Sequence, residues 1–120
     1  MNLKEIADEL VAGCRENRAK ENLEKLYASD AVSVEGQDFA GMGRETHGLE
    51  AIRGKHEWWE GAHEVSGASV SGPYPHGDDR FAVIFEVQGK VKETGESFDM
   101  REVGVYHVAD GKIVREEFFY

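Results

Sequence analysis

The side chains with chemistry to offer here are carboxylates and histidines. Glu35 closes a short apolar run, Ala31-Val32-Ser33-Val34-Glu35, just ahead of Gly36. A carboxylate there is either a solvated strand end or, in an apolar hollow, a base of raised basicity. Such a base can remove a proton next to a carbonyl. His56 could relay a proton or polarise a substrate oxygen, or could be a helix-surface histidine beside Glu57 and Glu60. Glu102 and Glu116 fall on neighbouring strands. Two buried carboxylates can share a proton and act as an acid–base pair, or they can hydrogen-bond buried polar groups. Their facing depends on strand parity. A one-residue slip would turn them outward and bring Arg101 and Arg115 inward, favouring an anionic ligand.

Other chemistries lack their motifs. His56, Glu60 and His63 are spaced four and three apart, but Gly61 is expected to end the helix before they share a face. His-Glu-x-x-His is absent, so no metal is expected. No Gly-x-Gly-x-x-Gly, phosphate loop or nucleophile elbow occurs, so no cofactor is expected either. Cys14 is the single cysteine. It can form no intramolecular disulfide and no cysteine zinc cluster, and a cytoplasmic, reducing compartment is the simplest setting.

These groups must be positioned by one domain, residues 1–120, because 120 residues are too few for two. Twelve aromatic residues could line a pocket. With 24 acids against 14 bases the formal charge is −10, which argues against nucleic acid and anionic membrane surfaces as partners. The N-terminus lacks the apolar stretch of a signal peptide, and no apolar run reaches transmembrane length.

Helices come first and strands last. Leu3, Ile6, Ala7, Leu10, Val11 and Cys14 recur at helical spacing. Residues 15–22 are almost wholly polar, so the helix either runs on through them or breaks near Asn22. Leu23, Leu26 and Tyr27 then restore an apolar stripe. A strand over 31–35 precedes a glycine-rich loop over 36–48. A helix over 49–60 follows, anchored by Ile52, Trp58 and Trp59 and stopped at Gly61. Period two then predicts strands over 64–71, 80–92, 97–108 and 112–120, with a Pro/Gly loop over 72–77 and a tight hairpin at Asp110-Gly111. Helices followed by an antiparallel meander make an α+β fold. A curved sheet closed by helices naturally leaves an apolar hollow, and a filled core is the alternative.

Three blocks carry a family resemblance. Residues 27–35 (Tyr-Ala-Ser-Asp-Ala-Val-Ser-Val-Glu), 47–53 (His-Gly-Leu-Glu-Ala-Ile-Arg) and 105–113 (Val-Tyr-His-Val-Ala-Asp-Gly-Lys-Ile) resemble, in order and spacing, the ketosteroid isomerase and SnoaL-like polyketide-cyclase families of the nuclear transport factor two-like superfamily. The resemblance implies a cystatin-like cone, with N-terminal helices packed on a strongly curved antiparallel sheet. It places Glu35 at the catalytic base and His56 at an inward helix position, with Trp59 one turn on. It turns Phe81, Val83, Phe85, Met100, Glu102, Gly104, Tyr106, Val108, Val114, Glu116, Phe118 and Tyr120 toward the hollow. Trp59, Phe85, Glu102, Tyr106, Glu116 and Tyr120 are the expected substrate contacts. Two departures stand out. The oxyanion tyrosine of the isomerases falls near Val11 and their oxyanion acid at Gly104, so that hole is missing. The same parity sends Ile84, Val103, Val105, Ile113 and Phe119 outward, too apolar a stripe for a solvated face; a homodimer, which the resemblance also implies, is the expected cover, and a covering loop is the alternative. The loop over 36–48 could serve as a lid. The expected function is a cofactor-free acid–base enzyme (isomerase, dehydratase, cyclase or hydrolase) on a small apolar organic substrate. A non-catalytic binding module, or a dimeric adaptor with a filled hollow, is the alternative.

Overall fold

The computed structural model describes residues 1–38, 41 and 43–120. Helix α1 spans Leu3–Arg15 and opens with a capping box: Glu5 N–H donates to Asn2 Oδ1 at 2.9 Å and Asn2 N–H to Glu5 Oε1 at 3.0 Å. It ends sooner than the polar run required, because the chain turns at Asn17, whose φ is 65°. Helix α2 (Ala19–Leu26) is held to α1 by Asn22 Nδ2, which donates to Glu9 O at 3.1 Å. The stripe at Leu23 and Leu26 is buried, but Tyr27 has already left the helix and begins strand β1 (Tyr27–Val34), four residues ahead of the expected strand.

The expected loop over 36–48 contains a short strand, β2 (Glu45–His47), paired antiparallel to β1. Phe39, Ala40 and Met42, the middle of the anticipated lid, lie outside the described residues. Helix α3 (Leu49–Ala62) runs past Gly61, so that glycine does not end it. Ile52 is the buried anchor, whereas Trp58 is 64% exposed. Six residues beyond Ile52, Trp58 lies about 120° away around a 3.6-residue helix, off the buried face.

Strand β3 (His63–His76) continues through the expected Pro/Gly loop. It is an edge strand, so Pro73 sits within a register irregularity between Ser71 and Tyr74 and breaks no inner ladder. Strands β4 (Arg80–Val91), β5 (Ser97–Ala109) and β6 (Lys112–Phe119) complete the antiparallel meander. Asp110 and Gly111 make its last turn with φ of 52° and 74°, the left-handed pair that this hairpin type demands. The six-stranded sheet has the order β2-β1-β6-β5-β4-β3, and β1 lies parallel to β6. That one parallel pair makes the sheet mixed. The fold is the expected α+β cone.

The core lies between helices and sheet, built from Ile6, Leu10, Leu23, Leu26, Ile52, Phe81, Val83, Tyr106 and Ile113. Ile113 corrects the parity expectation, since it is fully buried rather than outward. Val108 pairs with Ile113 but His107 with Arg115, so Val114 is an extra residue in β6. The bulge turns Ile113 inward and displaces Val114, while Glu116 and Phe118 keep their inward facing. Ile113→Ala is therefore expected to lower unfolding free energy by about 2–5 kcal/mol in urea denaturation. Val114→Ala is expected to cost about 1 kcal/mol or less. Equal losses would refute the bulge assignment.

Candidate functional site

A cavity of about 160 Å³ opens between the helices and the inner face of the sheet. Leu10 and Cys14 from α1, Ala19 and Asn22 from α2, and the rings of Tyr27, Phe85, Tyr106 and Phe118 form its walls. His56, Glu102 and Glu116 bring ionisable groups to it. The hollow is thus not filled by aromatic packing. Phe81 lies below it, fully buried and stacked on Tyr106 at 5.1 Å between ring centroids.

Five of the sequence-predicted residues meet here: His56, Phe85, Glu102, Tyr106 and Glu116. Three do not line the cavity. Glu35 accepts from Lys55 Nζ at 2.5 Å and from the Tyr120 hydroxyl at 3.1 Å. Tyr120 is thereby placed with Glu35 just beyond the ends of the neighbouring strands β6 and β1. Trp59 stacks on His63 at 4.4 Å and meets Phe98 edge-on at 6.2 Å. His63 caps α3, its Nδ1 donating to Trp59 O at 2.8 Å, so it turns away from His56 and Glu60.

The polar groups fall into two sets. In the first, Glu116 is 1% exposed and accepts from the Tyr27 hydroxyl and, at 2.8 Å, from Ser33 Oγ. Lys55 Nζ donates to Ser33 Oγ at 2.5 Å as well as to Glu35. A continuous polar chain therefore runs from Tyr27 through Glu116, Ser33, Lys55 and Glu35 to Tyr120. Tyr27, Ser33 and Lys55 are the members that sequence reasoning missed. The signals were present: Ser33 is two residues before Glu35 on one strand face, and Lys55 is three after Ile52 on one helix face.

The second set has no partners among the described residues. No hydrogen bond or ion pair engages the Glu102 carboxyl, the His56 ring or the Tyr106 hydroxyl. Because no fully buried side-chain N or O atom among the described residues lacks a partner, these tips must open on the cavity. Burial raises the Glu102 pKa to about 7, with the Glu35 and Glu116 charges adding to the rise. Burial likewise keeps His56 below its ordinary value and pushes the Cys14 thiol up to about 11. Tyr27 and Tyr106 stay protonated, since burial and the Glu116 charge both oppose a phenolate. A carboxyl that titrates near neutrality, a neutral imidazole and a phenol are suited to moving protons.

Helices closing a curved sheet over a small polar-tipped cavity define the ketosteroid isomerase-like, cystatin-like class of α+β proteins. Within it the chain belongs to the SnoaL-like domain family, whose model matches residues 1–120. A candidate SnoaL-like polyketide cyclase (also described as a carbohydrate phosphatase) from Mesorhizobium loti is 41% identical and superposes with a TM-score of 0.92 over 100% of both chains. A candidate isomerase from Bacillus subtilis is 25% identical, with a TM-score of 0.79 over 99% of this chain and 88% of that one. A Mycobacterium tuberculosis protein in complex with estradiol-17β-hemisuccinate shares the fold at 19% identity, with a TM-score of 0.76 over 100% and 95% of the chains. No curated protein matches the chain. No helix among the described residues is long and apolar enough to cross a membrane.

The raised Glu102 pKa has a sign that stability can test. Between pH 4.5 and about 7 the folded protein keeps a proton that the unfolded chain has released. Stability is lost as pH rises through that window. Glu102→Gln removes this dependence. Its melting temperature is expected to match wild type near pH 4, to exceed it increasingly as pH rises, and to hold a constant lead above pH 7. A pH-independent difference would mean that Glu102 is solvated.

Proposed function

We propose that this protein is a cofactor-free acid–base enzyme acting on a small, largely apolar carbonyl compound, with Glu102 as the proton carrier. The observation that carries this reading is an unpartnered carboxyl, titrating near pH 7, in an apolar cavity beside His56 and Tyr106. Ionised Glu102 takes a proton from carbon next to a carbonyl. The Tyr106 hydroxyl donates to the oxygen as enolate charge develops there. Protonated Glu102 returns the proton to another carbon, which isomerises the substrate with no change of oxidation state. His56, held neutral, orients the substrate oxygen. In this reading the base role expected of Glu35 passes to Glu102. Glu35 instead holds Lys55 and adds negative potential. Size narrows the substrate: a dry cavity of about 150 Å³ holds benzene, so the volume here suits one ring better than four. A reducing cytosol suits the single, mostly buried thiol.

Proton–deuterium exchange into cyclohex-2-enone, followed by NMR in D2O, tests the reading. Wild type is expected to accelerate exchange with a rate that climbs through pH 7, and Glu102→Gln to lose about 100-fold or more of it. Binding of the enone with no accelerated exchange would overturn catalysis and leave a ligand-binding module.

We further propose a homodimer through the outer face of the sheet. Val103 pairs with Ile84 and Phe119 there, and Phe119 is 51% exposed. Ion pairs Arg101–Glu86 and Arg115–Glu117 flank this apolar patch as a polar rim. About 800 Å² per partner would suffice. Sedimentation is expected to give a dimer for wild type and a monomer for Val103→Lys. A monomeric wild type would refute the interface.

A further inference from the structure

The cavity lining is unbalanced in charge. Glu102 and Glu116 reach it, and no Lys or Arg side chain does among the described residues. His56 cannot supply the missing positive charge, because burial favours its neutral form. Lys55 lies outside the lining and is committed to Glu35 and Ser33, each at 2.5 Å.

Aromatic faces supply the rest of the field. Gly104 lets three rings close together: a Cβ there would meet Tyr106 at 3.1 Å, and Phe118 and Phe85 at 3.2 Å. Tyr106 is 3% exposed, and its hydroxyl has no hydrogen-bond partner among the described residues. Ring faces carry negative quadrupole density, and Lys55 already exploits it, with Nζ 5.6 Å from the Phe118 centroid. Glu116 accepts from Tyr27 and Ser33 but retains lone pairs, and all of Glu102's are free. An anion in this cavity would meet two carboxylates and aromatic faces. A neutral molecule would gain apolar contact and hydrogen bonds to Tyr106 and His56, but no charge attraction.

We propose that the cavity selects compact organic ammonium ions, an amine on a single ring or a short branched body, over neutral or anionic molecules of the same shape. The ammonium sits between Glu102, Glu116 and the Tyr106 oxygen, and the hydrocarbon lies against Phe85 and Phe118. This goes beyond the acid–base reading and does not depend on turnover. Binding is coupled to pH through Glu102. The titratable groups around it are Glu116 from β6, His56 and Lys55 from α3, Tyr27 from β1, Glu35 just beyond β1, Tyr106 from its own strand, Tyr120 at the C-terminus and Cys14 from α1. Glu102 holds its proton up to about pH 7, so cation affinity rises as pH passes that value.

Calorimetric titration of the intact protein with cyclohexylammonium, cyclohexanol and cyclohexanecarboxylate, at pH 6 and pH 8, tests this. At pH 8 the ammonium is expected to bind about tenfold or more tightly than the alcohol, and the carboxylate weakest. The preference is expected to shrink at pH 6, and in Glu102→Gln at pH 8. Cyclohexanol binding as tightly as the ammonium would overturn the proposal, as would no binding by any of the three. A preference that persists in Glu102→Gln would assign the effect to the acidic surface and overturn it equally. Phe118→Leu, which keeps an apolar wall but removes the ring, is expected to weaken the ammonium more than the alcohol. Enone exchange without ammonium selectivity would sink this proposal alone, and the reverse would sink only the catalytic reading.

Discussion

A carboxylate removed from water must be given donors, and Glu116 imposes that requirement on the whole fold. It is 1% exposed, in the middle of β6. Its donors come from β1, a strand more than eighty residues away in sequence. The parallel pairing of β1 with β6 puts Ser33 level with Glu116. Tyr27 reaches the same group because a register shift between Tyr27 and Val32 brings the start of β1 near. Lys55 then ties α3 to β1, and Glu35 with Tyr120 ties the end of β1 to the C-terminus. One buried charge thus joins a helix, two strands and the chain end, and sets one wall of the cavity.

That chain explains why the site divides into held and free groups. Had Lys55 reached Glu102, the cavity would contain a neutralised pair and its carboxyl would titrate in the ordinary range. Lys55 is instead taken up by Glu35 and Ser33, and Glu102 is left against apolar walls. The held set fixes geometry, and in the free set burial brings the Glu102 carboxyl pKa to about 7. Removing one interaction therefore has different consequences in the two sets. Loss of Ser33 would leave one oxygen of the buried Glu116 carboxylate without its donor, whereas neutralising Glu102 would relieve a cost.

Much of this architecture could be read from residue order. The family resemblance sets the facing of β4 and β5, and period two carries it along them to Phe85, Glu102 and Tyr106, which do lie on the inner face. The same rule failed at Ile113 because a bulge adds a residue without any change in hydrophobic pattern. Pro73 read as a loop because the sequence does not say which strand will be an edge. Trp58 read as an anchor from its type alone, although it lies about 120° from Ile52 around α3 and is exposed. Glu35 had the position of a base, but pairing with a lysine on another element is a tertiary fact. No periodicity in β1 could reveal Lys55.

Gly104 shows how the chemistry can diverge from the isomerases within one fold. An acid at that position would press on the ring edges of Tyr106, Phe118 and Phe85, each within 3.2 Å of the missing Cβ. Such overpacking costs about 1–3 kcal/mol. The close approach of the three rings is therefore favoured by glycine at this position, and an acid there would loosen it. What the cavity gains is a phenol, two residues further along the same strand and stacked on Phe81, which holds its ring in place. A neutral donor of this kind can stabilise developing charge on oxygen without the cost of keeping a carboxyl protonated. In the acid–base reading proposed above, this phenol serves the oxygen and Glu102 carries the proton.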